Sequence, residues 1–229
     1  MGLSQSWAII VKSLKATYEH LGLAVVINVI WFFLWLSPMF LYAVSGLENI
    51  TLFIIANMLS VVLFGPATAG AYALLNKIVN EGSTAISEYK GAFLKFFWRS
   101  LLLVLVCGLM FLFIILNIRV SLNSQVFLFQ LIGGMWLYVL LFWFAMMQYV
   151  FPLLVQQNVG ILTIIKRAAL ITLDNILLSL LILLASLVIT FVSAFSMVLL
   201  VILWLSLIGL LQNFAFVQVL SKYDDGNGN

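Results

Sequence analysis

His20 is the only histidine of the chain and follows directly on Glu19, and Cys107 is its only cysteine. A metal site needs three or four ligands at suitable spacing, and these two residues stand in separate stretches, so no metal and no cofactor are expected. Cys107 has no second cysteine in the chain with which to form a disulfide. Serines are plentiful, but a nucleophilic serine needs a base held beside it, and no second histidine or placed lysine supplies one. The chain reads as a non-enzyme, with His20 an interfacial histidine at the mouth of the first apolar run.

The remaining polar chemistry is neutral. Asn28, Asn57, Gln130, Gln148, Gln212 and Asn213 fall within or near long apolar runs, whereas Arg99, Arg119 and Asp174 stand at their ends. A charge near the centre of such a run would mark an ion or proton path; none is found, which argues against a pump built on buried carboxylates. The carboxamides either cross-link helices, at about 0.6–2 kcal/mol each, or line a site for a polar ligand.

The runs that hold these residues define the solvent. The sequence is 66% hydrophobic and 7% charged, with a mean hydropathy of +1.26. A soluble domain carries roughly a quarter charged residues, so this surface must face lipid. In hydrocarbon only helices and closed barrels satisfy their own backbone. Leu101–Leu116 and Ile176–Phe191 are continuously apolar rather than alternating, which selects helices over a barrel.

Charges divide the chain into apolar blocks at Leu21–Val44, Ile50–Leu75, Leu101–Ile118, Val126–Val155, Ile176–Val192 and Met197–Leu220. About 20 helical residues cross a core of roughly 30 Å. Between Asp174 and Lys222 about 47 residues pass without a charge, about 70 Å of straight helix. That stretch must fold back, and Ser193-Ala194-Phe195-Ser196 is the expected place. The first apolar run lacks a small-residue cleavage site at its end and is expected to be retained as a span.

Lysine and arginine set the direction. Lys12, Lys15, Lys77, Lys90, Lys95, Arg99, Lys166, Arg167 and Lys222 all fall on one side of a six-span arrangement, leaving only Arg119 opposite. Both termini are therefore expected in the cytoplasm. Each pair of spans also follows a basic, partly amphipathic segment. In the first, Trp7, Ile10, Val11, Leu14 and Tyr18 recur at helical spacing, with Lys12, Lys15 and Glu19 on another face. In the second, Tyr89, Phe93, Phe96 and Phe97 form the stripe opposite Glu88, Lys95 and Arg99, with Ser87 expected as N-cap. The third, around Ile161–Leu173, carries Lys166 and Arg167 on a less clean stripe. Such segments lie in the headgroup region with their cations toward anionic lipid.

The expected fold is thus an all-α membrane protein of about six transmembrane helices in three pairs. Each pair is preceded by a cytoplasmic interfacial helix, with N-in, C-in topology. One domain covers 1–222, with repeat units 4–76, 84–155 and 159–220 and a disordered tail at 223–229. A simpler account is three ordinary basic loops. Membrane lipids are the expected partners; no nucleic acid is, and oligomeric state is not encoded in any pattern found.

Gly65-Pro66-Ala67-Thr68-Ala69-Gly70 is the most distinctive string. Small residues let helices approach closely, and Pro66 frees a carbonyl one turn earlier and invites a kink. The string is either a packing seam or a hinge or cavity wall. Continued through Ala71-Tyr72-Ala73-Leu74-Leu75-Asn76-Lys77, and followed after a polar loop by Tyr89-Lys90-Gly91-Ala92-Phe93-Leu94-Lys95-Phe96-Phe97-Trp98-Arg99, it resembles the YesL-like family of bacterial integral membrane proteins. The specific likeness lies within residues 60–100; length and hydropathy agree over nearly the whole chain. The resemblance implies a bacterial cytoplasmic membrane, no catalytic residues, and an accessory role beside carbohydrate uptake, with sugar-transport permease subunits as partners. A small transporter or channel for a neutral solute is the alternative.

Overall fold

The structure, a computed structural model, describes residues 3–46 and 48–226. Its helices are α1 (Leu3–Glu19), α2 (Leu21–Ser45), α3 (Ile50–Glu81), α4 (Glu88–Leu122), α5 (Phe127–Gln156), α6 (Ile161–Asp174), α7 (Ile176–Phe195), α8 (Val198–Ile202) and α9 (Trp204–Gly226). Six of them, α2, α3, α4, α5, α7 and α9, are long and apolar enough to cross a membrane. The protein is an all-α, multi-pass membrane protein, with its spans in three successive pairs.

Two of the three segments that precede these pairs are separate helices, α1 and α6, and each meets its span at one non-helical residue. His20 adopts φ −113°, ψ 31° and Asn175 φ −130°, ψ 46°. The second segment differs from expectation. α4 runs unbroken for 35 residues from Glu88, about 52 Å, so the stripe of Tyr89 and Phe96 forms the first turns of span three. Both side chains are buried, and with that stripe already packed there is nothing to gain by bending. Ser87 is itself helical (φ −55°, ψ −25°) and makes no capping bond. A true cap stands instead at Asn49, whose side chain accepts from the N–H groups of Thr51 (2.9 Å) and Leu52 (3.3 Å).

The fold-back between the last two spans lies at Ser196-Met197, at the edge of the expected stretch. A second interruption was not expected: α8 ends at Ile202, and Leu203 (φ −137°, ψ −13°) separates it from α9. Span six therefore begins at Trp204 rather than Met197. At its other end α9 continues to Gly226, past the expected domain end at 222; residues 227–229 of the expected tail lie outside the described residues.

α9 is the centre of the bundle. Of its apolar window 56% is buried, against 6% for α5, and it packs against α1, α2, α3, α5 and α7. Lipid is as apolar as leucine, so burial here rests on close van der Waals contact rather than on escape from water. Gly209 of α9 supplies that contact: a Cβ there would overlap the Leu75 side chain of α3. Phe216, Trp31, Tyr149 and Leu154 are fully enclosed in the same core.

Candidate functional site

The Gly65–Gly70 string lies entirely inside the bundle, and residues 65–72 are all buried. A Cβ on Gly65 would stand 2.8 Å from the Ser100 carbonyl oxygen of α4, and one on Gly70 would stand 3.2 Å from the Tyr89 ring. Thr68 Oγ1 accepts from Trp31 Nε1–H at 3.0 Å and donates to the Phe64 carbonyl at 2.7 Å. The Ala67 carbonyl accepts from Tyr89 Oη–H at 2.8 Å. α3 passes through Pro66 without interruption. The missing bulk of the string is thus occupied by Trp31 of α2 and by Tyr89 and the Ser100 backbone of α4.

The neutral carboxamides divide by depth. Asn28 is fully buried and fills the break between α8 and α9. Its Nδ2–H2 donates to the carbonyls of Val201 (2.6 Å) and Leu200 (3.2 Å), near the end of α8. Its Oδ1 accepts from the N–H groups of Leu205 (2.6 Å) and Ser206 (3.4 Å), in the first turn of α9. Ser206 Oγ–H adds a bond to the Ala24 carbonyl at 2.7 Å. Helix ends leave such groups unpaired, and in a membrane an unpaired one costs several kcal/mol. One side chain of α2 thus closes both sides of the break.

Gln212 Oε1 accepts from Tyr72 Oη–H at 2.6 Å, joining α9 to α3. Gln148 Nε2–H2 donates to the carbonyls of Ser179 (3.0 Å) and Ala145 (3.2 Å), and Tyr149 Oη lies 2.9 Å from Ser179 Oγ. Asn213 Nδ2–H2 turns back to the Gly209 carbonyl at 2.7 Å. The acceptor oxygens Gln148 Oε1 and Asn213 Oδ1 are buried without a partner. Asn57 and Gln130 are peripheral and bond only within their own neighbourhood, to Phe53 and Ser124.

The six basic residues singled out in the sequence are of two kinds. Lys12, Lys15, Lys95 and Lys166 are exposed, with Lys15 paired to Glu19 at 3.7 Å and Lys95 lying 5.2 Å from the Phe96 ring centre. The two arginines instead hold the turn between α5 and α6. Arg99 donates to Asn158 Oδ1 (2.9 Å) and to the Val159 carbonyl (2.6 Å), and Arg167 donates to Gln157 Oε1. Guanidinium suits this use, since its fixed fork reaches several acceptors at once.

α1 presents three sectors. Ser6, Ile9, Ser13, Ala16 and Thr17 are buried against the bundle, Trp7, Leu14 and Tyr18 are exposed apolar residues, and Lys12, Lys15 and Glu19 lie on the remaining arc. Most of the apolar stripe read from the sequence, Trp7, Val11, Leu14 and Tyr18, therefore faces away from the bundle, while Ile10 packs against its core. The bundle-facing sector is small and hydroxylated, with Thr17 Oγ1–H bonded to the Ser13 carbonyl at 2.8 Å.

His20 lies at the α1–α2 junction and is half-buried. Among the described residues no group of three or more His, Cys, Asp or Glu could hold a metal. Cys107 is 2% exposed on α4. Clefts of about 350–490 Å³ lie at the rim of the bundle, between α2 and α3, between α4 and α5, and between α1 and α7, among others.

Comparisons with family models, with curated proteins and with solved structures find no significant match for this chain.

Proposed function

We propose that this multi-pass membrane protein is a non-enzymatic scaffold of the bacterial cytoplasmic membrane, YesL-like in kind, which serves a carbohydrate uptake system beside sugar-transport permease subunits. The supporting observation is the use made of the polar groups in the spans. Asn28, Gln212, Tyr72, Tyr149 and Thr68 each bond to a neighbouring helix and hold the bundle shut. The outer parts of α2–α3 and α4–α5 meanwhile present bare apolar faces, including Phe40, Ile54, Phe113 and Met135. A closed interior and a wide apolar exterior suit a protein whose contacts are with lipid and other membrane chains. Purification in mild detergent should recover a stoichiometric membrane partner; repeated recovery of the chain alone counts against the scaffold.

A second reading, a transporter or channel for a neutral solute, is favoured by two buried carboxamide oxygens without donors, Gln148 Oε1 and Asn213 Oδ1. A solute hydroxyl would satisfy either. Reconstituted vesicles would then pass a sugar or metabolite, and Gly70→Leu would stop the flux while the protein stays folded. No flux across a broad panel removes this reading.

A further inference from the structure

At the positively charged end of the bundle, α5, α6 and α9 enclose a cleft of about 420 Å³. Its floor is apolar, formed by Leu153, Ile171 and Leu220, while Arg167, Asp174 and Tyr223 stand at its rim. Arg167 and Asp174 are two turns apart on α6, about 10 Å of rise, and so share a face. They carry opposite charges, yet neither joins an ion pair; among the described residues those are Lys15–Glu19 and Lys77–Glu88.

Each rim charge keeps bonding capacity. Arg167 donates through Nη1 to Gln157 Oε1, which leaves Nη2 and Nε. Asp174 Oδ2 accepts from Tyr223 Oη–H at 2.7 Å, which leaves Oδ1. Among the residues whose side chains are described, the other charges nearby are Lys166, exposed one residue before Arg167, and Lys222, which donates to Asn175 Oδ1 at 3.2 Å.

A cleft with an apolar floor and two opposite, unmatched charges at its mouth is complementary to an amphiphile that carries both charges in its head. We propose that it binds phosphatidylethanolamine, with the phosphate on Arg167, the ammonium N–H groups donating to Asp174, and an acyl chain along Leu153 and Leu220. Leu170, 55% exposed at the lip, leads that chain toward the bilayer. An anionic lipid would satisfy Arg167 and leave Asp174 facing a phosphate. A choline head carries positive charge but no N–H to donate, and charge-assisted hydrogen bonds are the stronger kind. The site concerns lipid selection and stands whether or not the scaffold reading does.

The test uses the purified full chain in detergent, with native mass spectrometry counting retained lipid. Phosphatidylethanolamine, phosphatidylglycerol and phosphatidylcholine of identical chains are offered separately. The ethanolamine lipid should be retained several-fold better than the other two. Asp174→Asn should abolish its advantage over the choline lipid, Asp174→Glu should restore it, and Arg167→Gln should weaken every phosphate lipid. Lys12→Gln, on α1, should change nothing. Equal retention of the three lipids by the natural chain overturns the proposal, as does a preference untouched by Asp174→Asn. Competition by soluble glycerophosphoethanolamine as strong as by the lipid also overturns it, because the apolar floor would then contribute nothing. If a variant does not fold, the order of the three lipids on the natural chain still decides.

Discussion

Asn28 Oδ1 accepts the backbone N–H of Leu205 at 2.6 Å, although the two residues are 177 positions apart. With its Nδ2–H2 on the Val201 carbonyl, this carboxamide stands where a continuous span six would have used its own backbone. Loss of the side chain leaves buried donors and acceptors unpaired at both edges of the break, each costing about 1–3 kcal/mol. Asn28→Ala should therefore destabilise the protein by at least about 2 kcal/mol, read from unfolding in mixed micelles. Loss below about 0.5 kcal/mol would mean that the break closes without Asn28.

Gly65 faces the Ser100 backbone, which cannot swing away as a side-chain end can. Gly65→Ala should push α3 and α4 apart and lower the melting temperature in detergent. Gly91 and Gly108, whose Cβ positions meet nothing within 4 Å, are the controls. Alanine there should leave stability unchanged or raise it by about 0.5–1 kcal/mol, since glycine is a poor helix residue. The same response at all three positions would refute the close-approach account.

Lys77 and Glu88 pair across the α3–α4 hairpin, but their side chains are 40% and 42% exposed. Ion pairs in such settings contribute about 0–1 kcal/mol and weaken with salt. Glu88→Gln should cost less than about 1 kcal/mol, well under Asn28→Ala in the same assay.

Arg99 draws together Asn158 and the Val159 carbonyl in the turn before α6. Arg99→Gln should raise hydrogen exchange across residues 157–160 more than anywhere else. Lysine should rescue only in part, having a single ammonium where the guanidinium forks. Unaltered exchange in that turn would show that the backbone holds it alone.

Orientation can be read with introduced cysteines, because Cys107 is buried and should stay silent. Ser83→Cys, in the α3–α4 loop, should react with an impermeant maleimide only from the cytoplasmic side, and Asn123→Cys, in the α4–α5 loop, only from outside. The reverse pattern would invert the topology.

The spans were legible in the sequence because hydrocarbon forces long uncharged runs, and such runs have few other uses. What lay beyond them was less legible. An amphipathic segment followed by an apolar run reads the same whether the helix breaks at their junction or not; α1 and α2 are separated at His20, whereas α4 runs on unbroken past Arg99. The interruption at Leu203 has no local signal, neither glycine nor proline, because its backbone is satisfied from another span. Asn28 was visible as a polar residue in an apolar block, but nothing near it in the chain says which backbone it meets. The Gly65–Gly70 string announced a close approach; Trp31, Tyr89 and Ser100 as its occupants follow only from the packing.

The mended break also bears on how the chain is made. Asn28 is made well before the carbonyl of Leu200, which follows 172 residues later. Until then the carboxamide waits in lipid or beside the translocation machinery, at the cost of an unmatched polar group. The interior cannot reach its final state when the first hairpin inserts. Span one has a vacancy that only α8 and α9 can fill, so the first hairpin settles only once residues 200–206 have followed it into the membrane.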